Sequence, residues 1–137
     1  LEAVFARHAR LAEGVRRGVQ AWGLDLVAEH HSYYSNTVSA IRVPEGVDAR
    51  EVLRIAYDDL NTSFGSGLGR LNGKVFRIGH LGDFNELMLA GTLAGVEMGL
   101  GLAGVPHAKG GLDAALEYLA NPDAAEGVGS QPARASA

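Results

Sequence analysis

Lys74-Val75-Phe76-Arg77-Ile78-Gly79-His80-Leu81-Gly82 is the stretch on which the reading of this chain turns. Side chains of an extended segment alternate between two faces, so Val75, Arg77 and Gly79 share one side while Phe76 and Ile78 share the other. Two large apolar groups on one face anchor a strand in a core, and that leaves the Arg77 guanidinium aimed, with little freedom, from the opposite face. A guanidinium makes two parallel, charge-assisted hydrogen bonds to a carboxylate. Its partner is either a carboxylate ligand or an Asp or Glu of the protein itself, and pattern alone weighs the two equally.

Upstream of this strand, Phe64 to Gly73 carries Gly65, Gly67, Gly69 and Gly73 and reads as a loop. The position three after Gly67 is Arg70 and three after Gly69 is Asn72, so the Gly-x-Gly-x-x-Gly phosphate loop of a dinucleotide fold is unsupported. These glycines predict a mobile or tightly turned approach to the strand. Downstream, Asp83 and Glu86 have capping-box spacing before an apolar segment from Leu87 to Val105. That segment nears the length of a membrane span, and Gly91, Gly95 and Gly99 repeat the spacing of membrane helix pairs. Glu97 near its middle and the lack of a second span favour a buried helix whose glycine face lies on a sheet. Gly101, Gly104 and Pro106 end it, and Leu112 to Leu119 forms a last helix stopped by Asn121-Pro122.

The N-terminal half supplies the rest of the layer. Leu1, Val4, His8, Leu11, Val15, Gly18 and Trp22 fall at alternating three- and four-residue steps, an amphipathic helix ended by Gly23. A coiled coil has the same steps, but a His and a Gly on the seam favour packing on a sheet. Leu24 to Glu29 and Thr37 to Val43 read as strands, the second closed by the Pro44-Glu45-Gly46 turn. Asp48 with Glu51 forms a capping box, Val47 with Val52 a hydrophobic staple, and the helix they open runs to Leu60, burying Val52, Ile55 and Ala56. The order helix, strand, strand, helix, strand, helix, helix predicts an α+β fold in which a small, mainly antiparallel sheet packs against helices. Residues 1–120 read as one domain and 121–137, small and polar, as a disordered tail.

With 137 residues and 47% hydrophobic composition, the chain is long enough for one real core. A net charge of −4 and a pI near 5.7 argue against nucleic acid as a partner. Cysteine is absent, which excludes disulfides and thiolate chemistry. His8, His30, His31, His80 and His107 include no pair at i, i+4 spacing, so no metal site is expected. Gly65-Ser66-Gly67 is only a fragment of a nucleophile elbow. Tyr33 and Tyr34 read as a surface or cleft pair or, more commonly for aromatics, as core and rim. Lys74 and Lys109 read as solvated lysines rather than imine-forming amines. The start at Leu1, without a Met or a signal peptide, suggests a piece of a longer, cytoplasmic protein.

The Lys74–Gly82 stretch with Asp83-Phe84-Asn85-Glu86-Leu87 closely resembles the C-terminal part of serine–glyoxylate aminotransferases, in the alanine–glyoxylate group of class V pyridoxal-phosphate enzymes. The likeness takes in Phe5-Ala6-Arg7-His8, Leu11-Ala12-Glu13-Gly14-Val15-Arg16-Arg17, Ala21-Trp22-Gly23-Leu24, Tyr34-Ser35-Asn36-Thr37-Val38-Ser39-Ala40-Ile41, Val43-Pro44-Glu45-Gly46, Gly67-Leu68-Gly69 and Leu93-Ala94-Gly95-Val96-Glu97-Met98. It runs nearly unbroken from Leu1 to Leu102. The resemblance implies the small C-terminal domain of a fold type I enzyme, with Arg77 binding the α-carboxylate of an amino-acid or 2-oxo-acid substrate. It further implies pyridoxal 5'-phosphate held by a large domain of the same protein, and a homodimer in the full-length enzyme. Neither Lys74 nor Lys109 matches the family's Schiff-base lysine, so this chain alone is expected to be inactive, with no catalytic or cofactor-binding residue of its own. The rival reading is a non-catalytic module that binds a carboxylate or a partner chain, such as one half of a split transaminase.

Overall fold

The computed structural model describes residues 1–121; apart from Asn121, the expected tail lies outside the described residues. The elements are α1 (Glu2–Ala21), β1 (Asp25–Leu26), β2 (Val38–Arg42), α2 (Ala49–Asp58), β3 (Gly65–Ser66), β4 (Val75–Gly79), α3 (Glu86–Leu102) and α4 (Gly111–Leu119). Short 3-10 turns occur at His31–Tyr33 and Gly69–Leu71. The sheet runs β1-β2-β4-β3 with every neighbouring pair antiparallel, the α+β arrangement expected.

Strand β4 lies inside the sheet, between β2 and β3. Its register with β2 sets Ala40 opposite Arg77 and Ile41 opposite Phe76. Phe76, Ile78 and Ile41 are fully buried, and they join Leu11, Val15 and Val19 of α1, Val52 of α2, and Leu89, Leu93 and Leu100 of α3 in one core. At about 25 cal/mol per Å² of apolar surface removed from water, this inner layer is what seats β4.

Helix α1 carries the expected stripe and ends at Gly23, whose φ is +72°. The stripe is covered only from Leu11 onward; Leu1, Val4 and Phe5 are exposed. α1 lies on β1 and β2 and also runs beside α4. Gly14 and Gly18 make room for that: a Cβ at Gly18 would come within 3.2 Å of the Gly111 carbonyl oxygen. The N-terminus of α4 is closed from another helix. Glu97 of α3 accepts hydrogen bonds from Trp22 Nε1 at 2.9 Å, Gly110 N at 2.9 Å and Leu112 N at 3.2 Å. Burial alone would raise the Glu97 pKa, but these three donors outweigh it and hold the carboxyl below its usual range.

Several local expectations are corrected. The first strand has two paired residues instead of Leu24–Glu29, because Leu24 still belongs to the α1 terminus, its N–H donating to Val19 O at 3.1 Å. Asp48 does cap α2, accepting from Arg50 N at 3.0 Å, but Glu51 pairs with Arg54 at 2.7 Å and does not complete a capping box. That helix stops at Asp58, before the left-handed Asn61 (φ +49°), short of Leu60. Asn85 caps α3, its Oδ1 accepting from Met88 N at 2.9 Å, where Asp83 was expected. The glycines of α3 do not lie on the sheet: Gly95 faces Thr62 and Phe64, Gly99 faces Val52, and Gly91 is exposed. Nor is α3 buried all round, since Leu87, Met98 and Leu102 are exposed. Among the described residues no helix is long and apolar enough to cross a membrane.

The segment read as a loop contains the edge strand β3. Its glycines serve close packing: a Cβ on Gly67 would lie 2.1 Å from Leu71 O and 2.8 Å from Val75 Cγ2. This tight turn folds over Val75 and buries it, although Val75 shares the outer face with Arg77.

Candidate functional site

Arg77 sits mid-strand on the face opposite Phe76 and Ile78, as the alternation requires. Ala40 and Gly65 are its cross-strand partners. Both are small, which leaves a lane for the long side chain. A Cβ on Gly65 would come within 3.2 Å of Arg77 Nε, so this glycine lets the guanidinium lie across β3. There Nε donates to the Ser66 carbonyl oxygen at 2.8 Å. Among the described residues, Arg77 has no ion-pair partner, and its two terminal amines make no hydrogen bond. The internal ion pair that pattern left open is thus not formed among the described residues. The guanidinium is held by one edge while its bidentate edge remains available.

Arg77 lines a cavity of about 270 Å³ together with Leu26, Val27, Ala28, Tyr33, Tyr34, Ser35, Val38, Ser39, Ala40 and Arg16. A second cavity, of about 660 Å³ and bearing Glu13, Asp25 and Glu29, adjoins it on the α1 side. Arg16 and Tyr34 belong to both walls. Arg16 Nε pairs with Glu13 at 2.9 Å, and its guanidinium stands 5.3 Å from the centre of the Tyr34 ring. Glu13 also pairs with Arg17 at 3.1 Å, so two cations share one carboxylate.

Behind the sheet, His80 continues the inward parity of Phe76 and Ile78 and is fully buried. Its Nε2 lies 2.9 Å from Ser39 Oγ, and its backbone N–H donates to Thr37 O at 2.9 Å. Burial pushes its pKa down to about 4, with the Arg16 charge acting in the same direction and the Asn36 backbone partly opposing. The ring is therefore neutral at pH 7, and it ties β2 to the end of β4. His8 is half-buried and accepts a hydrogen bond from Gly82 N at 3.0 Å, His107 is half-buried, and His30 and His31 are exposed. Among the described residues no three potential metal ligands converge.

No protein-family model matches the chain. It is 54% identical over 120 residues to the serine–glyoxylate aminotransferase of Hyphomicrobium methylovorum and 50% identical to that of Arabidopsis thaliana, in each case covering 87% of this chain. The chain belongs to the serine–glyoxylate aminotransferase family. It spans about 30% of the length of these curated relatives. It is also similar to the pyridoxamine–pyruvate aminotransferase of Mesorhizobium loti, with a TM-score of 0.78 and 38% identity over 85% of this chain and 30% of that one. The ureidoglycine–glyoxylate aminotransferase of Bacillus subtilis superposes with a TM-score of 0.82 at 29% identity, over 88% of this chain and 32% of that one.

Aminotransferases in general depend on pyridoxal phosphate, and the residues present here do not fit its attachment. An imine-forming lysine needs a desolvated pocket. Lys74 and Lys109 are both exposed, as expected, and neither lines the Arg77 cavity. What this segment carries instead is a cation, Arg77, held through Nε by the Ser66 carbonyl, with no hydrogen bond to its terminal amines among the described residues. Sequence pattern singled out Arg77 but missed the residues that brace it, Gly65 and Ser66. A signal was available in the two-residue period, which brings a glycine opposite the arginine once β3 is recognised.

Proposed function

We propose that this chain is the C-terminal small domain of a pyridoxal-phosphate-dependent aminotransferase, and that Arg77 holds the α-carboxylate of its substrates. The full protein moves an amino group from serine or alanine to glyoxylate or a related 2-oxo acid. The observation that carries the reading is the state of Arg77: mid-strand on a fully buried apolar anchor, oriented through Ser66 O, and without an internal carboxylate among the described residues. Charge-assisted hydrogen bonds of this kind contribute about 1.5–3 kcal/mol each. Arg77 thereby fixes the substrate's orientation with respect to the bond that must break. The cofactor, held by the large domain of the same protein, supplies the electron sink. A homodimeric, cytoplasmic enzyme completes the proposal, and the chain by itself does not turn over.

The test is Arg77→Ala in the full-length holoenzyme. Catalytic efficiency is expected to fall by about a hundredfold or more, roughly 3 kcal/mol, because a carboxylate loses its paired donors. Wild-type efficiency in that variant refutes the assignment. Pyridoxal phosphate added to the isolated chain is expected to give no borohydride-sensitive yellow chromophore.

A further inference from the structure

Tyr34, which is 38% exposed, lines the same cavity as Arg77. The Arg16 guanidinium stands 5.3 Å from the centre of the Tyr34 ring, and Arg16 Nε is paired with Glu13. No hydrogen bond is made to the Tyr34 hydroxyl among the described residues, whereas the neighbouring Ser35 hydroxyl already accepts from Thr37 N and Val38 N. The cavity thus presents the Arg77 guanidinium, the Arg16 guanidinium with its buried Nη1 unpartnered, one phenol whose hydrogen-bonding capacity is unspent, and the apolar Val38 and Ala40. At about 270 Å³ it lies near the lower end of small-molecule sites, which begin at roughly 300 Å³.

We infer that Tyr34 is a specificity-determining residue, whose hydroxyl hydrogen-bonds the side-chain hydroxyl of a short β-hydroxy amino donor held at its carboxylate by Arg77. The inference rests on the reading of Arg77 given above and deepens it by naming the donor class. Arg16 Nε is held by Glu13 and its guanidinium stands 5.3 Å from the Tyr34 ring centre, while its buried Nη1 makes no hydrogen bond among the described residues; the phenol beside it is neutral. A phenol serves a hydroxyl as both donor and acceptor. A site built to hydrogen-bond a substrate hydroxyl discriminates strongly against the analogue lacking it, because its own polar group is then left unpaired.

Serine and alanine differ by that hydroxyl alone, and Tyr34→Phe removes the phenol oxygen while keeping the ring that Arg16 covers. In the full-length holoenzyme, the ratio of kcat/KM for serine to kcat/KM for alanine is expected to fall about tenfold in Tyr34→Phe. An unchanged ratio, or a loss confined to a dicarboxylic donor such as aspartate, overturns the inference. Arg77→Lys, measured alongside, separates the two levels: it lowers kcat/KM for both donors while leaving their ratio near wild type. If Arg77→Lys lowers neither, the underlying assignment of Arg77 fails whatever Tyr34 does. Far-ultraviolet circular dichroism and a thermal unfolding midpoint matching wild type establish that Tyr34→Phe is folded.

Discussion

Mild acid should weaken the sheet that carries Arg77, and the amount can be worked from His80. In the folded chain the ring is fully buried and its pKa is held at about 4, against an ordinary value of 6.5. Between those values the unfolded chain binds a proton at this position and the folded chain does not. Stability therefore falls as pH falls through that window and is fully present above it. At about 1.4 kcal/mol per pH unit, the full interval costs about 3 kcal/mol, a large part of the roughly 5–15 kcal/mol that holds a domain together. The damage is local in origin: a charged ring cannot remain buried between β2 and β4 beside Ser39. Urea unfolding at pH 7 and at pH 4, compared with the same pair of measurements on His80→Asn, isolates the contribution from the other four histidines. The variant is expected to start less stable and to lose most of its pH slope. A slope that survives the substitution, or an NMR titration placing His80 near 6.5, refutes the reasoning.

Glu97→Ala should destabilise the chain by about 2 kcal/mol in thermal or urea unfolding, since Trp22 Nε1, Gly110 N and Leu112 N lose their charged acceptor together. Because the Glu97 carboxyl is held below its usual value of 4.5, its contribution is complete above that value and is lost as pH falls through the lower folded one, beneath most of the His80 window. Gly67→Ala should cost more than about 2 kcal/mol, since the new Cβ would lie 2.1 Å from a backbone oxygen. Gly69→Ala, a left-handed position at φ +53° with open space around it, should cost only about 1–2 kcal/mol. Equal losses at the two glycines would show that the turn relaxes around Gly67.

The two faces of β4 were legible because a strand's period is short and unambiguous. Phe76 and Ile78 could be assigned inward, and Arg77 outward, with no knowledge of what they meet. The same parity, carried two residues further, makes His80 an inward residue, a consequence that polarity obscured. Strand β3 was illegible for a physical reason: Gly65-Ser66 has neither β-branching nor apolar alternation, and it pairs only because β4 offers it an edge. Both α2 and α3 were located correctly, but reciprocal capping was overread, since Arg54 competes for Glu51 and Asn85 displaces Asp83. The Trp22–Glu97 hydrogen bond joins residues 75 positions apart, and those from Gly110 and Leu112 to Glu97 join a helix to the terminus of another. No local pattern encodes them.

The restraints on Arg77 let it be both rigid and open. A guanidinium loses much conformational freedom when it binds a carboxylate, and that loss subtracts from affinity unless the fold has already imposed it. Here it is imposed three times over: the apolar face of β4 fixes the backbone, Gly65 clears one lane, and Ser66 O takes Nε. Each restraint acts on the stem or on one edge of the group and leaves the two terminal amines alone. Substituting Gly65 with alanine should therefore reorient Arg77 without removing it. In the full-length holoenzyme, KM should rise for every amino donor while the chain stays folded, a pattern distinct from the donor-selective loss expected at Tyr34. Unchanged KM values in Gly65→Ala would mean that the lane across β3 has no part in aiming the cation.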